Sequence, residues 1–133
     1  MAKARVLVVD DAKPIVMVIE TNLKLEGYEV VTAYDGVEGL RRARECKPDC
    51  MILDVMMPEM NGWQVLEELR ADPDIAGTQV IMLTALNEDA DVSRGYELGV
   101  DLYLSKPFEP KELIEFVERV VDMGREERIT DDE

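Results

Sequence analysis

The chain has 133 residues, 47% of them hydrophobic and 34% charged, which predicts a single globular domain. No apolar run approaches the roughly 20 residues of a membrane helix, and the N-terminus lacks a signal peptide, so we expect a cytoplasmic protein. The net charge of −15 argues against direct binding to nucleic acid or membranes, and the absence of histidine excludes a phosphohistidine donor, a histidine base and the usual zinc site.

Five short apolar runs predict buried β-strands, because each is rich in aliphatic residues and has the length of a strand. In chain order they are VLVVD at 6–10, EVVTA at 29–33, CMILD at 50–54, QVIMLT at 79–84 and LYLS at 102–105. Segments with helical spacing follow at 14–25, 37–46, 61–70, 89–98 and 110–123. This strict alternation predicts an α/β fold, a doubly wound (βα)5 parallel sheet with helices on both faces.

Glycines mark the predicted ends of three helices. Gly27, Gly99 and Gly124 each follow a helical segment, where a left-handed residue commonly ends the helix. No linker or internal repeat interrupts the alternation of strands and helices. We therefore predict one domain at 4–123, followed by an acidic and disordered tail at 124–133.

Acidic and polar residues stand at the carboxyl ends of four predicted strands. They are Asp10 and Asp11 at the end of the first strand, Asp54 at the end of the third, Thr84 at the end of the fourth and Lys106 after the fifth. Ligands of doubly wound sheets gather at this edge, so we expect these side chains to converge. Any one acid alone could instead cap a helix. The Thr84 hydroxyl alone could bond to nearby backbone, and the Lys106 ammonium alone could be a solvated surface group.

The predicted cluster of carboxylates needs a cation. Two carboxylates about 5 Å apart repel by roughly 3 kcal/mol at an effective dielectric constant near 20. Lys106 supplies one positive charge, and a divalent ion would neutralise the rest. Oxygen ligands without histidine or cysteine favour Mg²⁺ or Mn²⁺.

Four separated motifs resemble the receiver domain of two-component response regulators. They are VVDD at 8–11, LDVMMPEMNG at 53–62, LTA at 83–85 and SKPF at 105–108. The resemblance extends over residues 4 to about 123 and implies a CheY-like, flavodoxin-like sheet in the strand order 2-1-3-4-5. It also implies a phosphorylation-dependent signalling switch, which is not an enzyme but promotes its own phosphorylation and dephosphorylation.

The resemblance implies roles for the acids at the strand ends. Asp54 would accept the phosphoryl group and form an acyl phosphate. Asp11, Asp54 and the backbone carbonyl of Met56 would bind Mg²⁺ directly, and Asp10 would help through water. These roles suit phosphoryl transfer, which depends mainly on positioning and on neutralising the phosphoryl oxygens.

The resemblance also implies roles for residues of the last two strands. Thr84 would hydrogen-bond the phosphoryl oxygens, and Lys106 would pair with them. The bond between Lys106 and Pro107 would be cis. Tyr103 would be the aromatic switch that turns inward when the threonine engages phosphate, although it could simply be a strand aromatic packed on a helix. Trp63 is expected to be partly buried at the start of the third helix.

The implied partners are a sensor histidine kinase or histidine phosphotransfer protein and a downstream protein or effector domain. The expected output surface comprises the segments 89–98, 102–105 and 110–123. Leu102 and Phe116 stand where many DNA-binding members carry a charge pair across a dimer. We therefore expect a monomer or a weak phosphorylation-dependent dimer.

The lifetime of the acyl phosphate is predicted to depend on two apolar residues. Met56 and Leu86, two residues after Asp54 and Thr84, would border the path of the attacking water. Neither side chain offers a strong hydrogen-bond partner to water, so we expect slow dephosphorylation.

Two other functions share parts of this pattern. An aspartyl-nucleophile phosphatase would have a second acid two residues after the nucleophile, where this chain has Met56. A flavodoxin-like flavin carrier would have a hydroxyl- and glycine-rich phosphate loop after the first strand, where this chain has DDAKP at 10–14. Repeated turnover of a phosphomonoester would indicate the phosphatase, and a coloured preparation would indicate the flavin carrier.

Overall fold

A computed structural model describes residues 2–85 and 97–131 of the chain, with side chains to residue 124. These residues form the strands β1 (Arg5–Val9), β2 (Glu29–Ala33), β3 (Cys50–Asp54), β4 (Gln79–Ala85) and β5 (Leu102–Lys106). They also form the helices α1 (Lys13–Leu25), α2 (Gly36–Cys46), α3 (Gly62–Ala71) and α4 (Pro110–Asp131). The predicted helix at 89–98 lies outside the described residues except for its last two positions.

The five strands form one parallel sheet in the order β2-β1-β3-β4-β5, which confirms the predicted fold and strand order. Side chains of β1 alternate between the two faces of this sheet. Val6 and Val8 pack with α1 and α4, whereas Leu7 and Val9 pack with α2 and α3. Because helices cover both faces, a central strand is apolar throughout rather than alternating with polar residues.

The helix ends agree with the glycine pattern at two of three places. Gly27 and Gly99 have positive φ angles of 94° and 74°, as predicted for residues that follow a helix. Gly124 instead lies inside α4, which continues to Asp131. The predicted helix end at 123 is therefore wrong, whereas the domain at 4–123 and the disordered tail at 124–133 stay predictions. Arginine and glutamate, good helix formers, dominate the next positions, and one interior glycine costs only about 1 kcal/mol relative to alanine.

None of the helices that the described residues form is both long enough and apolar enough to cross a lipid bilayer.

Candidate functional site

Three carboxylates meet at the carboxyl edge of the sheet. Asp10 and Asp11 directly follow β1, and Asp54 ends β3, the strand next to it. One oxygen from each carboxylate lies within 4.8 Å of the others. Asp10 and Asp54 are only 0% and 4% exposed, whereas Asp11 is open to solvent. The predicted convergence of these acids is therefore seen in the structure.

Lys106 brings a positive charge to the two buried acids. Its Nζ donates hydrogen bonds to Asp10 Oδ2 at 2.9 Å and to Asp54 Oδ1 at 3.1 Å. Burial opposes the charge on this ammonium, but the hydrogen bond to Asp10 and the charge of Asp54 outweigh burial and raise the pKa of Lys106. The side chain thus remains a cation that bridges two carboxylates.

Asp54 carries an incompletely balanced charge. Burial, together with the neighbouring charge of Asp10, raises the pKa of Asp54 to about 6, although Lys106 and the Met56 amide favour its ionised form. The amide of Met56 donates to Asp54 Oδ1 at 3.4 Å. One ammonium does not fully compensate the charges of two buried carboxylates, so protonation of Asp54 is more favourable than that of an ordinary aspartate.

The donor set fits a divalent cation. Ionised, the three acids and Lys106 sum to a charge of −2, which one such ion would neutralise. Carboxylate oxygens are the ligands that Mg²⁺ and Mn²⁺ prefer, and oxygens within 4.8 Å of one another can share one ion. Asp10 also accepts the amide of Ala12 at 2.9 Å, so it supports the start of α1 as well.

Residues 55–61 form the β3–α3 loop, which directly follows Asp54. Its far end is held close to its beginning, because Gly62 donates its amide to the carbonyl of Val55 at 2.9 Å. A Cβ at Gly62 would lie 2.4 Å from the backbone oxygen of Asp54, so only glycine fits. Asn61 and Gln64 form a capping box that starts α3. The side chain of Met56 is exposed on this loop.

Thr84 and Tyr103 lie on neighbouring strands beside the cluster. Thr84 is buried near the end of β4, and its hydroxyl donates to the carbonyl of Ala85 at 3.2 Å. Tyr103 pairs with Met82 of β4 in the parallel register. The rings of Tyr103 and Trp63 have centroids 6.5 Å apart, and Trp63 is 7% exposed.

The contact between Trp63 and Tyr103 was not predicted from the sequence. Trp63 was expected only to be partly buried, and no local pattern connects it with a residue of β5. A usable signal was the strand order, which places β4 and then β5 after β3, the strand that leads into α3.

The remaining predicted features are one cis peptide bond and three apolar residues. The Lys106–Pro107 peptide bond is cis. Leu102 and Phe116 are partly buried and pack against the hydrophobic cluster under α1 and α4. Leu86 lies outside the described residues, so its proposed place beside the acids stays a prediction.

Comparisons with known proteins agree with this geometry. The model of the family described as "Response regulator receiver domain" matches residues 6–118. A probable transcriptional regulator, ycf27 of Guillardia theta, is 50% identical over 111 residues, which cover 84% of this chain and 42% of that protein. The alkaline phosphatase synthesis transcriptional regulatory protein PhoP of Bacillus subtilis is 44% identical over 109 residues, covering 82% and 45%. The chain spans less than half the length of these curated relatives.

Solved structures show the same similarity. The chemotaxis protein CheY4 of Vibrio cholerae superimposes with a TM-score of 0.83 at 36% identity, covering 90% of this chain and 99% of that one. NtrX of Brucella abortus gives a TM-score of 0.89 at 28% identity, covering 99% of this chain and 30% of that one.

Proposed function

Since the chain belongs to the family of response regulator receiver domains, which act as phosphorylation-dependent switches in two-component signalling, we propose that Asp54 is its phosphoacceptor. The supporting observation is the setting of this carboxylate. It is buried at the end of a central strand, 3.1 Å from the Lys106 ammonium and beside two further acids. Such a group combines a nucleophile with the charges that phosphoryl transfer requires.

In the proposed reaction, an oxygen of Asp54 attacks the phosphorus of the donor. A bond forms between this oxygen and the phosphorus, while the bond to the donor breaks and its electron pair leaves with the donor. Asp54 Oδ1 accepts the hydrogen bonds of Lys106 and Met56, so we assign the attack to Oδ2. Lys106 would then pair with the phosphoryl oxygens, and the hydroxyl of Thr84 would turn from Ala85 to bond them.

The acids would also hold the metal. Asp11, Asp54 and the carbonyl of Met56 would bind Mg²⁺ directly, and Asp10 would bind it through water. When bound, the ion would neutralise negative charge on the transferring phosphoryl group. Mn²⁺ would satisfy the same oxygen ligands.

Phosphorylation is expected to depend on the metal. Incubation with acetyl phosphate and Mg²⁺ should place one phosphoryl group on Asp54, located by peptide mass spectrometry. A chelator should slow labelling by about 10²-fold or more, the scale for losing one strong electrostatic contact. Asp11→Asn should weaken Mg²⁺ binding and so raise the Mg²⁺ concentration that half-maximal labelling requires. Asp35→Asn is the matched control, because asparagine caps α2 as well as aspartate does. Labelling of another residue, or equal labelling in chelator, would contradict the proposal.

The proposed upstream partner is a sensor histidine kinase or a histidine phosphotransfer protein. The phosphorylated chain would act on a downstream protein or effector domain through the segments 89–98, 102–105 and 110–123. In relatives named as transcriptional regulators, an effector domain rather than the receiver would contact DNA. With Leu102 and Phe116 in place of a charge pair, we propose a monomer or a weak phosphorylation-dependent dimer.

The acyl phosphate is predicted to decay slowly. Met56 is 60% exposed at the mouth of the site and offers water no strong hydrogen-bond partner, and the same is proposed for Leu86. The double variant Met56→Asn, Leu86→Glu should speed decay by about 10²-fold, since it supplies groups that can position the attacking water. Decay is followed at fixed Mg²⁺ after removing the donor, with Met56→Leu as the apolar control. Decay in the double variant that is no faster than in wild type would disprove this role.

A further inference from the structure

We propose that Trp63 is a positioning residue of the phosphorylation switch, whose indole couples the ring of Tyr103 to the β3–α3 loop. The inference rests on the proposed function, because it requires that phosphorylation of Asp54 changes the surroundings of Tyr103. It adds a second connection between the site and Tyr103, alongside the one through Thr84.

The first step of the argument is that Trp63 is rigidly attached to the loop that follows Asp54. It comes directly after Gly62, whose amide donates to Val55 and whose Cα packs against the backbone of Asp54. The capping box between Asn61 and Gln64 fixes the backbone on either side of Trp63. A shift of the backbone at the end of β3 must therefore also move the root of the indole.

The second step is the contact between the indole and Tyr103. The two rings lie 6.5 Å apart at an interplanar angle of 53°, within the range of favourable tilted aromatic pairs. Trp63 belongs to the hydrophobic cluster under α2 and α3, and Tyr103 packs against that cluster. The hydroxyl oxygen of Tyr103 is also buried. Tyr103 is thus positioned by packing against Trp63 and not only by its own strand.

The third step is the register of β4 and β5. Tyr103 pairs with Met82, and Thr84 comes two residues later on the same face of β4. Tyr103 therefore lies beside β4, the strand of Thr84, and also contacts the indole of Trp63. The contact with Trp63 stabilises this position of the tyrosine. Any displacement of this ring must change or break the contact with the indole.

Fluorescence can test this coupling, because Trp63 is the chain's single tryptophan. Emission is recorded for the full chain with Mg²⁺, before and after acetyl phosphate. We expect a change in wild type and in Tyr103→Phe, which keeps the ring, and none in Asp54→Asn. In Tyr103→Leu the change should fall by half or more. A smaller reduction would mean that the indole senses only its own loop, and would overturn the inference.

The converse experiment observes Tyr103 while Trp63 is changed. The chain is labelled with 3-fluorotyrosine, and the Tyr103 signal is identified by its absence in Tyr103→Phe. Phosphorylation should shift this ¹⁹F resonance in wild type and in Trp63→Phe, whereas Trp63→Leu should reduce the shift by half or more. Any smaller reduction would contradict the proposed coupling. If circular dichroism shows that Trp63→Leu is unfolded, the Tyr103→Leu fluorescence comparison decides the question.

Failure of the proposed function would be distinguishable in the same samples. Mass spectrometry measures the phosphoryl group on Asp54 in each variant. An unlabelled wild-type Asp54 would contradict the proposed function itself. A labelled Asp54 with undiminished signals in Tyr103→Leu and Trp63→Leu would overturn the role of Trp63 alone.

Discussion

Asp54→Asn is expected to reduce phosphorylation by acetyl phosphate and Mg²⁺ by at least about 10³-fold, because the substitution removes the nucleophilic carboxylate. Asparagine has nearly the same shape, so the fold and the start of α3 should be kept. Intact-mass spectrometry over a time course measures the loss. Asp35→Asn, which makes the same chemical change on the exposed N-cap of α2, should label at the wild-type rate. Labelling of Asp54→Asn at a rate near that of wild type would refute the assignment.

The same substitution should also stabilise the metal-free fold near neutral pH. The pKa of Asp54 is raised to about 6 from an ordinary 3.8, so its ionised form is disfavoured in the folded state. Between these values the folded state binds more protons than the unfolded state, and wild-type stability falls as pH rises. The destabilisation of the folded state by ionised Asp54 is fully present above about pH 6 and absent below about pH 4. One pKa unit corresponds to about 1.4 kcal/mol, so we expect a gain on the order of 1–3 kcal/mol.

Urea unfolding without metal at pH 7 and at pH 4 measures this effect. The advantage of Asp54→Asn should be present at pH 7 and disappear at pH 4. Saturating Mg²⁺ at pH 7 should reduce the stability advantage of Asp54→Asn, because an ion that binds the folded wild type stabilises that state by mass action. If Asp54→Asn is less stable than wild type at pH 7 without metal, the charge of Asp54 does not destabilise the folded state.

Lys106→Met is expected to lower the metal-free free energy of unfolding at pH 7 by about 3–5 kcal/mol. Its ammonium lies 2.9 Å from Asp10 and 3.1 Å from Asp54, both buried, and breaking a buried ion pair from one side leaves its partner uncompensated. The comparable surface change is Lys24→Met, whose ammonium pairs with Glu20 in solvent. That variant should lose no more than about 1 kcal/mol.

A double variant can assign the cost of Lys106→Met to charge rather than to packing. Adding Asp54→Asn removes one of the two stranded carboxylates, so the double variant should recover part of the lost stability. Unfolding in urea at pH 7 without metal compares wild type, the two single variants, the double variant and the control Lys24→Met. A loss in Lys106→Met no larger than that in Lys24→Met, or a double variant with no recovery, would contradict the role of Lys106 as the main counter-charge.

Sequence reasoning succeeded where the signal is local or follows from sheet topology. The apolar run of β1 and the two acids after it could be placed at the carboxyl edge, because parallel strands all end there. The predicted end of α4 at residue 123 was wrong, since glycine commonly ends helices but Gly124 lies within this one. Which acids contact Lys106 depends on side-chain conformations that periodicity does not encode.

The contact of Trp63 with Tyr103 illustrates a second limit. The two residues lie on α3 and β5, and their rings meet only because α3 packs on the face of the sheet to which Tyr103 projects. Hydrophobic spacing identifies each of them as a core-facing position but not as neighbours. Pairing across elements depends on helix tilt and on side-chain direction, which a single sequence leaves open.

The length of α4 turns small rotations into large translations. Its 22 residues measure about 33 Å, roughly twice the span of a five-residue strand. The helix begins at Pro110, shortly after Lys106, and its other end lies far from the acids. A tilt of about 10° around the Pro110 end would displace the Asp131 end by roughly 6 Å, given the 1.5 Å rise per residue. Such a tilt would leave the Pro110 end nearly in place and move the distal turns most, so a protein that contacts those turns would meet the whole displacement.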